Sequence, residues 1–203
     1  MRQTLSVLVI IVVLAGSASA QYLGQMCPAS VLPTATGKMG GYLIVAEHAT
    51  AIAGSLRYGF NDYLEGRARL GFIDPSGGDM GLIFGADLKY LLWKYNQSEN
   101  PIDLSLGGML EYAGLGHSNL LGLGGSIIGS LPFQLENNRR IEPYARLGLR
   151  LQREAVGDAS DSHLKIGLNV GALFSITPLI DFTVELQADD EMAVMAGVDL
   201  VAF

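Results

Sequence analysis

The chain has 203 residues, of which 49% are hydrophobic and 16% are charged, and its formal net charge at pH 7 is −7. This acidic balance, without a basic stripe or basic helix, argues against a nucleic-acid partner. Helical periodicity does not persist anywhere, which argues against an ordinary soluble domain of this length. The single cysteine, Cys27, excludes an internal disulfide.

The first twenty residues have the organisation of an export signal. Arg2 supplies a positive charge, Leu5 to Leu14 form an apolar run, and Ala18-Ser19-Ala20 is a small-residue cleavage site. The apolar run is shorter than the ~20 residues that a spanning helix needs. We therefore predict that residues 1–20 are a signal peptide and that the mature chain begins at Gln21.

Ten segments with strand character follow an irregular stretch at 21–36, which we expect to be a periplasmic N-terminal segment. Most of the ten run for ~9 to 15 residues, which suits a tilted strand crossing a bilayer and exceeds the ~5 to 6 residues of a typical soluble strand. Their predicted bounds are 38–47, 50–60, 63–73, 80–93, 102–115, 119–133, 142–155, 163–176, 180–188 and 193–203. The connections are short, and an even count returns both termini to one side.

Apolar and polar residues alternate along these segments. In 180–188, Ile180, Phe182 and Val184 share one face, whereas Asp181 and Glu185 lie on the other. Lysine or arginine on a lipid face near the midplane costs ~2–4 kcal/mol, so this phasing favours an apolar outside and a polar inside. Because a bilayer tolerates no open sheet edge, residues 37–203 are predicted to form an all-β, antiparallel up-and-down transmembrane β-barrel of ten strands, with eight as the alternative count.

The predicted inner face is rich in charged residues of both signs. Cross-strand pairing is expected to join Arg67 and Arg69 to Asp87, and Lys89 to Asp103. Two interpretations remain open: a salt-bridged interior that fills the barrel, or a charged constriction in a narrow pore, with glycines on the same face leaving room for water. The candidates facing the lumen are Arg57, Glu65, Arg67, Arg69, Asp87, Lys89, Asp103, Glu111, Arg146, Arg150, Lys165, Asp181, Glu185 and Asp199.

Most aromatic residues lie toward one end of their strands, the end on the same side of the predicted barrel as the two chain termini. This predicts an aromatic girdle at one membrane interface. Trp93, Tyr95 and Tyr144 lie on the polar parity, so part of this ring is expected to close the floor of the lumen. The aromatic residues at these ends are Tyr42, Tyr58, Phe60, Tyr63, Tyr90, Trp93, Tyr95, Phe133, Tyr144, Phe174, Phe182 and Phe203.

Two local motifs carry a resemblance to a known class. The run from Tyr58 to Glu65, Tyr-Gly-Phe-Asn-Asp-Tyr-Leu-Glu, is similar to a hairpin that recurs in small bacterial outer-membrane β-barrel proteins, and the last strand ends on Phe203. This terminal strand resembles the C-terminal signal read by the barrel-assembly machinery, although Asp199 stands where an apolar residue is more common. The resemblance implies insertion into the outer membrane by that machinery, and implies no cargo.

The leading hypothesis is therefore an integral, porin-like protein of the Gram-negative outer membrane with a structural or narrow passive-pore role. Its expected partners are outer-membrane lipids, the assembly machinery and, if the lumen is open, a small solute. We do not expect the protein to be an enzyme, and we predict no catalytic residue, cofactor or metal.

Two alternatives lie outside this hypothesis: a soluble periplasmic β-barrel that binds a lipid or small apolar ligand, and a surface adhesin. A third is an outer-membrane hydrolase that uses the rim residues His48, His117 and His163 with nearby carboxylates.

Overall fold

The computed structural model describes residues 26–76, 78–97, 99–115, 118–136, 139–156, 159–189 and 192–203. The predicted signal peptide and cleavage site lie outside these ranges. The described part is all-β, and no helix in it has the length and apolarity needed to cross a membrane. The strands are β1 (Gly37–Ala46), β2 (Ala49–Asn61), β3 (Leu64–Pro75), β4 (Gly81–Trp93), β5 (Asp103–Leu115), β6 (Ser118–Ser130), β7 (Phe133–Gln134), β8 (Arg140–Val156), β9 (Ala159–Thr177), β10 (Ile180–Ala188) and β11 (Met192–Val201).

The strands close into a barrel. Each long strand pairs antiparallel with its neighbour in the chain, and β1 pairs with β11 from Lys38 opposite Val201 to Ala46 opposite Ala193. The two-residue β7 attaches only to β8, while β6 pairs directly with β8. Ten of the strands in the described ranges therefore form the wall, which confirms the predicted fold class and the count of ten.

The up-and-down order defines two rims. The terminal rim carries the start of β1, the end of β11 and the connections at 62–63, 94–102, 131–139 and 178–179; the distal rim carries the other connections. The strands β8 and β9, with 17 and 19 residues, are the longest. At the distal rim their hairpin extends beyond β10, whose Ala188 lies opposite Leu168, whereas β6 pairs with β8 as far as Ser118 opposite Val156. The sequence placed the starts of these two strands two and four residues later, because the polar residues at their ends read as turns.

The outer surface of the wall is apolar. Ile52, Leu123 and Leu164 are exposed over 66%, 62% and 64% of their area, and similar side chains surround the barrel. Soluble monomers rarely expose contiguous apolar patches larger than a few hundred square ångströms. A surface of this kind needs lipid or another apolar phase around it.

Aromatic rings mark the outer surface near the terminal rim. Tyr63 stacks with Tyr90 at 6.4 Å between ring centroids, and Tyr58 contacts both Phe60 and Phe203. This band is the arrangement that the aromatic pattern predicted for a membrane interface.

Two aromatic residues differ from the simple parity pattern. A register shift in β4 between Leu91 and Trp93 places Trp93 opposite Leu104, so its side chain is 51% exposed on the outside instead of closing the lumen floor. Tyr42, on a strand that is apolar on both faces, points inward and is 4% exposed. Bulges are invisible to a strict two-residue period, which explains the error at Trp93.

Candidate functional site: the barrel interior

The interior holds every charged candidate that the sequence placed there. All fourteen side chains are 8% exposed or less. Seven of them are basic and seven are acidic, so the set is neutral. Because isolated buried charges are very unfavourable, what matters is how these groups pair.

Arg57 organises the largest described cluster. Its Nε and Nη2 donate to the two carboxylate oxygens of Glu65 at 2.9 and 3.0 Å, and its Nη1 donates to Asp199 at 3.2 Å. The Tyr42 hydroxyl also donates to Asp199, and the Arg67 guanidinium lies 5.7 Å from the centre of the Tyr42 ring. The residue that departs from the usual terminal-strand pattern, Asp199, is thus fixed inside the barrel by Arg57.

A second cluster surrounds Glu185 of β10 and includes side chains of β8 and β9. Its carboxylate accepts from the Tyr144 hydroxyl at 2.7 Å, from Asn169 Nδ2 at 2.7 Å and from Arg146 Nη2 at 3.2 Å. Three donors of this kind satisfy one buried carboxylate. The sequence had placed Tyr144 on the polar parity, and the ring does lie inside, 5% exposed.

Of the three predicted cross-strand pairs, Arg69–Asp87 is made, Arg67 stands directly opposite Asp87 in the register, and Lys89–Asp103 is wrong. Arg69 Nη2 lies 2.7 Å from Asp87 Oδ2. Lys89 stands opposite Gly107, so it does not pair with Asp103, whose carboxylate instead accepts from the backbone N–H of Tyr95 at 2.6 Å. The prediction failed because Asp103 lies four residues from Gly107 toward the terminal rim and is therefore not the cross-strand neighbour of Lys89.

Several inward groups were missed by the sequence analysis. Glu142 is fully buried and accepts from Ser130 Oγ at 2.6 Å and from Arg140, but it lies where the sequence reads as a strand end. Lys38 pairs with Asp181 and was passed over for the same reason. Both share the parity of known inward residues on their strands, which was the available signal.

The distal half of the interior is apolar on one side. Inward side chains of β1 to β6 and β11 form a continuous cluster there, and Ile83, Ala113 and Met195 have no exposed area at all. Water does not reach these described side chains, so this side of the distal half is packed. The cluster comprises Ile44, Ala49, Ala51, Ala53, Ile73, Ile83, Ala113, Leu120, Ala193 and Met195, together with Tyr42 and Met26.

Large side chains occupy the space that inward glycines leave. The Tyr144 ring lies where a Cβ on Gly171 would be, at 2.6 Å, and the Tyr42 ring lies 2.0 Å from the equivalent position on Gly197. The interior cavity bounded by Arg146, by other inward residues of β8 and β9 and by Asp189 has a volume of about 10 Å³. This is room for about one water molecule.

The terminal mouth contains residues 26–33, which we call the N-terminal segment. Lys89 Nζ donates to the backbone carbonyls of Pro28 and Ser30 at 2.8 and 2.6 Å, and the backbone N–H of Leu32 donates to Glu65 at 2.9 Å. The segment contains no strand, and its position inside the mouth was not foreseen.

Deeper in the lumen the same segment is tightly enclosed. Ala29 has no exposed area; its N–H donates to Ser130 Oγ at 3.1 Å and its carbonyl accepts from Ser105 Oγ at 2.5 Å. Cys27 is 1% exposed, and Met26 packs in the apolar cluster of the distal half. The segment therefore runs from the terminal rim to the apolar cluster.

The distal rim carries the residues of the hydrolase alternative. His163 Nε2 lies 3.4 Å from Asp161 Oδ2, and both side chains are largely exposed to solvent. Asp189, one of the rim carboxylates, turns inward to Arg150 at 3.5 Å. His117 lies outside the described residues, and within the described ranges no three His, Cys, Asp or Glu side chains are grouped as a metal ion would require.

No protein-family model and no curated protein sequence matches this chain. The beta domain of the Bordetella autotransporter BrkA matches 83% of this chain and 100% of its own length, with 12% identity and a TM-score of 0.50. An outer membrane channel from Pseudomonas putida F1 matches 92% and 100%, with 12% identity and a TM-score of 0.49. The KdgM porin matches 82% and 99%, with 10% identity and a TM-score of 0.41.

At these identities the similarity concerns the fold alone. We base the comparison of folds on the BrkA domain, whose TM-score is 0.50. The chain has the fold of the bacterial outer-membrane β-barrel proteins.

Proposed function

We propose that this protein is an integral outer-membrane β-barrel whose interior is closed at rest, so that it serves the envelope structurally and performs no catalysis. The single observation that carries the proposal is the filling of the interior. Paired charges and an apolar cluster occupy the lumen, the N-terminal segment occupies the terminal mouth, and the cavity beside Arg146 has a volume of only about 10 Å³. A narrow passive pore would need a continuous polar path, and the burial of the inward charged side chains argues against one.

The membrane location is supported by the surfaces. The outer wall is apolar around the barrel and aromatic at the terminal rim, whereas the charges face inward. A soluble carrier of a lipid would have the opposite arrangement, with an apolar cavity inside and charges outside. We propose that residues 1–20 act as an export signal that is cleaved after Ala20, which leaves the terminal rim in the periplasm.

The terminal strand supports insertion by the barrel-assembly machinery. β11 pairs with both β10 and β1, and the Phe203 carbonyl accepts from the backbone N–H of Gly37 at 2.9 Å, so the last residue lies at the closing seam. The Phe203 side chain is 64% exposed on the outside, where a partner protein or lipid can contact it.

Two experiments test the proposal. Sucrose-gradient fractionation with heat-modifiable gel mobility should place the full-length protein in the outer membrane as a compact band, and amino-terminal sequencing should begin at Gln21. Recovery from the soluble periplasm would overturn the membrane assignment and favour a ligand carrier.

The second experiment measures conductance of the purified, folded protein in planar bilayers, with a general porin as the positive control for detection. The expected result is insertion without discrete conductance steps. Reproducible steps from the unmodified protein would contradict a closed interior and support the passive pore.

A further inference from the structure

The N-terminal segment is bonded to the barrel in a way that differs from a strand. The wall is complete without it, because β1 to β6 and β8 to β11 pair around the whole circumference. Its described hydrogen bonds mainly join side chains of the wall to backbone atoms of the segment: Lys89 and Ser105 donate to carbonyls, and Glu65 accepts from a backbone N–H. Withdrawing the segment would therefore break no strand pairing.

The mouth around the segment is only partly filled. A cleft of about 380 Å³ lies on one side, next to Tyr95 and Asp103, and another of about 440 Å³ lies on the other side, next to Lys38 and Asp181. These clefts give the segment space to move toward the terminal rim. Side chains inside a permanent core leave no comparable spaces.

A turn joins the segment to β1. The N–H of Thr36 donates to the Pro33 carbonyl at 3.1 Å, and the N–H of Ala35 donates to the Gly59 carbonyl at 2.8 Å. A Cβ on Gly59 would lie 2.3 Å from the Pro33 carbonyl oxygen, so only glycine permits this close approach. The turn is fixed to the wall while the residues before it depend on side-chain contacts.

We propose that residues 26–33 act as a gate that leaves the lumen as a unit, about the turn at 33–36, while the barrel stays folded, and that Lys89 is its latch. The inference builds on the closed barrel proposed above. Lys89 holds two carbonyls and lies 3.6 Å from Glu65, which itself holds the N–H of Leu32. No other described residue binds the segment at two backbone carbonyls.

Cys27 reports the position of the gate, because it is the single cysteine of the chain and is 1% exposed. The folded full-length protein in detergent micelles is treated with a bulky polar maleimide, and the labelling rate is measured on the heat-modifiable, folded band. Labelling requires the segment to leave its seat, so its rate follows the population of the open form.

The test variant is Lys89→Met, and the matched control is Lys38→Met, which removes a lysine at the same mouth whose bond is to Asp181 on the wall. Loss of the two charged hydrogen bonds should raise the labelling rate of Cys27 by roughly 10- to 100-fold, while the control stays within about threefold of the unmodified protein. Ser105→Ala, which removes a single neutral bond to Ala29, should raise it by roughly 3- to 10-fold.

Equal labelling rates in Lys89→Met and Lys38→Met would overturn the proposal. So would labelling confined to the unfolded band, since the segment would then be a fixed part of the core. Ser105→Ala keeps the test decisive if Lys89→Met does not fold. Conductance of the unmodified protein would refute the closed barrel but would not alter this readout, so the two failures are distinguishable.

Discussion

Replacement of Arg57 by methionine tests whether the interior is a packed, desolvated core. Arg57 donates three hydrogen bonds to two carboxylates, Glu65 and Asp199, and all three residues are 2% exposed or less. Removing one partner of a buried ion pair costs ~3–5 kcal/mol, because the remaining charge is left uncompensated. Here Glu65 keeps Lys89 at 3.6 Å and Asp199 keeps the Tyr42 hydroxyl, so we expect the lower end, about 3 kcal/mol.

The assay is urea unfolding of the protein refolded in lipid vesicles, followed by fluorescence of Trp93. This is the single tryptophan of the chain, and its side chain lies on the outer surface near the terminal rim. Its emission should shift to longer wavelength when the barrel leaves the lipid. The free energy comes from linear extrapolation, and an unchanged slope shows that the same surface is exposed in both proteins.

The control is Arg153→Met, an exposed arginine near the distal rim with one hydrogen bond of 3.3 Å to Ser160. It should change the free energy of unfolding by no more than about 0.5 kcal/mol. A loss below about 1 kcal/mol for Arg57→Met would show that water solvates the carboxylates, against the ~3–5 kcal/mol expected for a desolvated pair, and the closed interior would be refuted.

Three further results are expected. Leu147→Arg, on the outer surface in the middle of β8, should lower the free energy of unfolding in vesicles by ~2–4 kcal/mol, and no loss would mean that this face does not contact lipid. Gly197→Val should destabilise the barrel by ~1–3 kcal/mol, because the Tyr42 ring occupies the position of the new Cβ. Gly41→Ala should be tolerated, because no heavy atom lies within 4 Å of its Cβ position, and equal effects of the two substitutions would contradict this packing. Deletion of Phe203 should slow assembly, measured as the rate at which the heat-modifiable band appears in cells, and an unchanged rate would remove its role in insertion.

The features that the sequence predicted well are those with a two-residue period. Strand bounds agree to within a few residues, and residues such as Lys165 and Glu185 lie inside, because alternation along a long strand has only one way to face lipid. The register between neighbouring strands does not follow from this two-residue period. It depends on turns and bulges, so the pair Arg69–Asp87 was foreseen while Lys89 was assigned the wrong partner.

The sequence indicated the apolar cluster in the distal half, but the pattern was ambiguous. The segment from Tyr42 to Ala46 is apolar on both faces, and the structure shows Ile44 packed inside while Val45 faces outward. A strand buried on one side by lipid and on the other by neighbours shows no alternation. The sequence therefore indicated that this part of β1 is buried on both faces, but not which side chains fill the lumen beside it.

The N-terminal segment left no trace of its position because the barrel binds it mainly through backbone atoms. Any sequence with a small residue at Ala29 offers the same carbonyls and N–H groups to Lys89, Ser105 and Glu65. The position of the segment is therefore set by side chains of the wall. The sequence predicted that Lys89 and Glu65 face inward, but not that they bind this segment.

Barrel size explains why such a segment is needed. Eight strands enclose just enough room for side chains, whereas ten enclose more than their inward side chains can fill when many of them are glycine. The large rings of Tyr42 and Tyr144 cover two of those glycines, and the apolar cluster fills one side of the distal half. What remains is the space at the terminal mouth, and the only part of the described chain outside the wall that reaches it deeply is the segment 26–33. The element that completes the core is thus bound through side chains of the wall and not through strand pairing, and under the proposed gate the terminal mouth is where this barrel opens first.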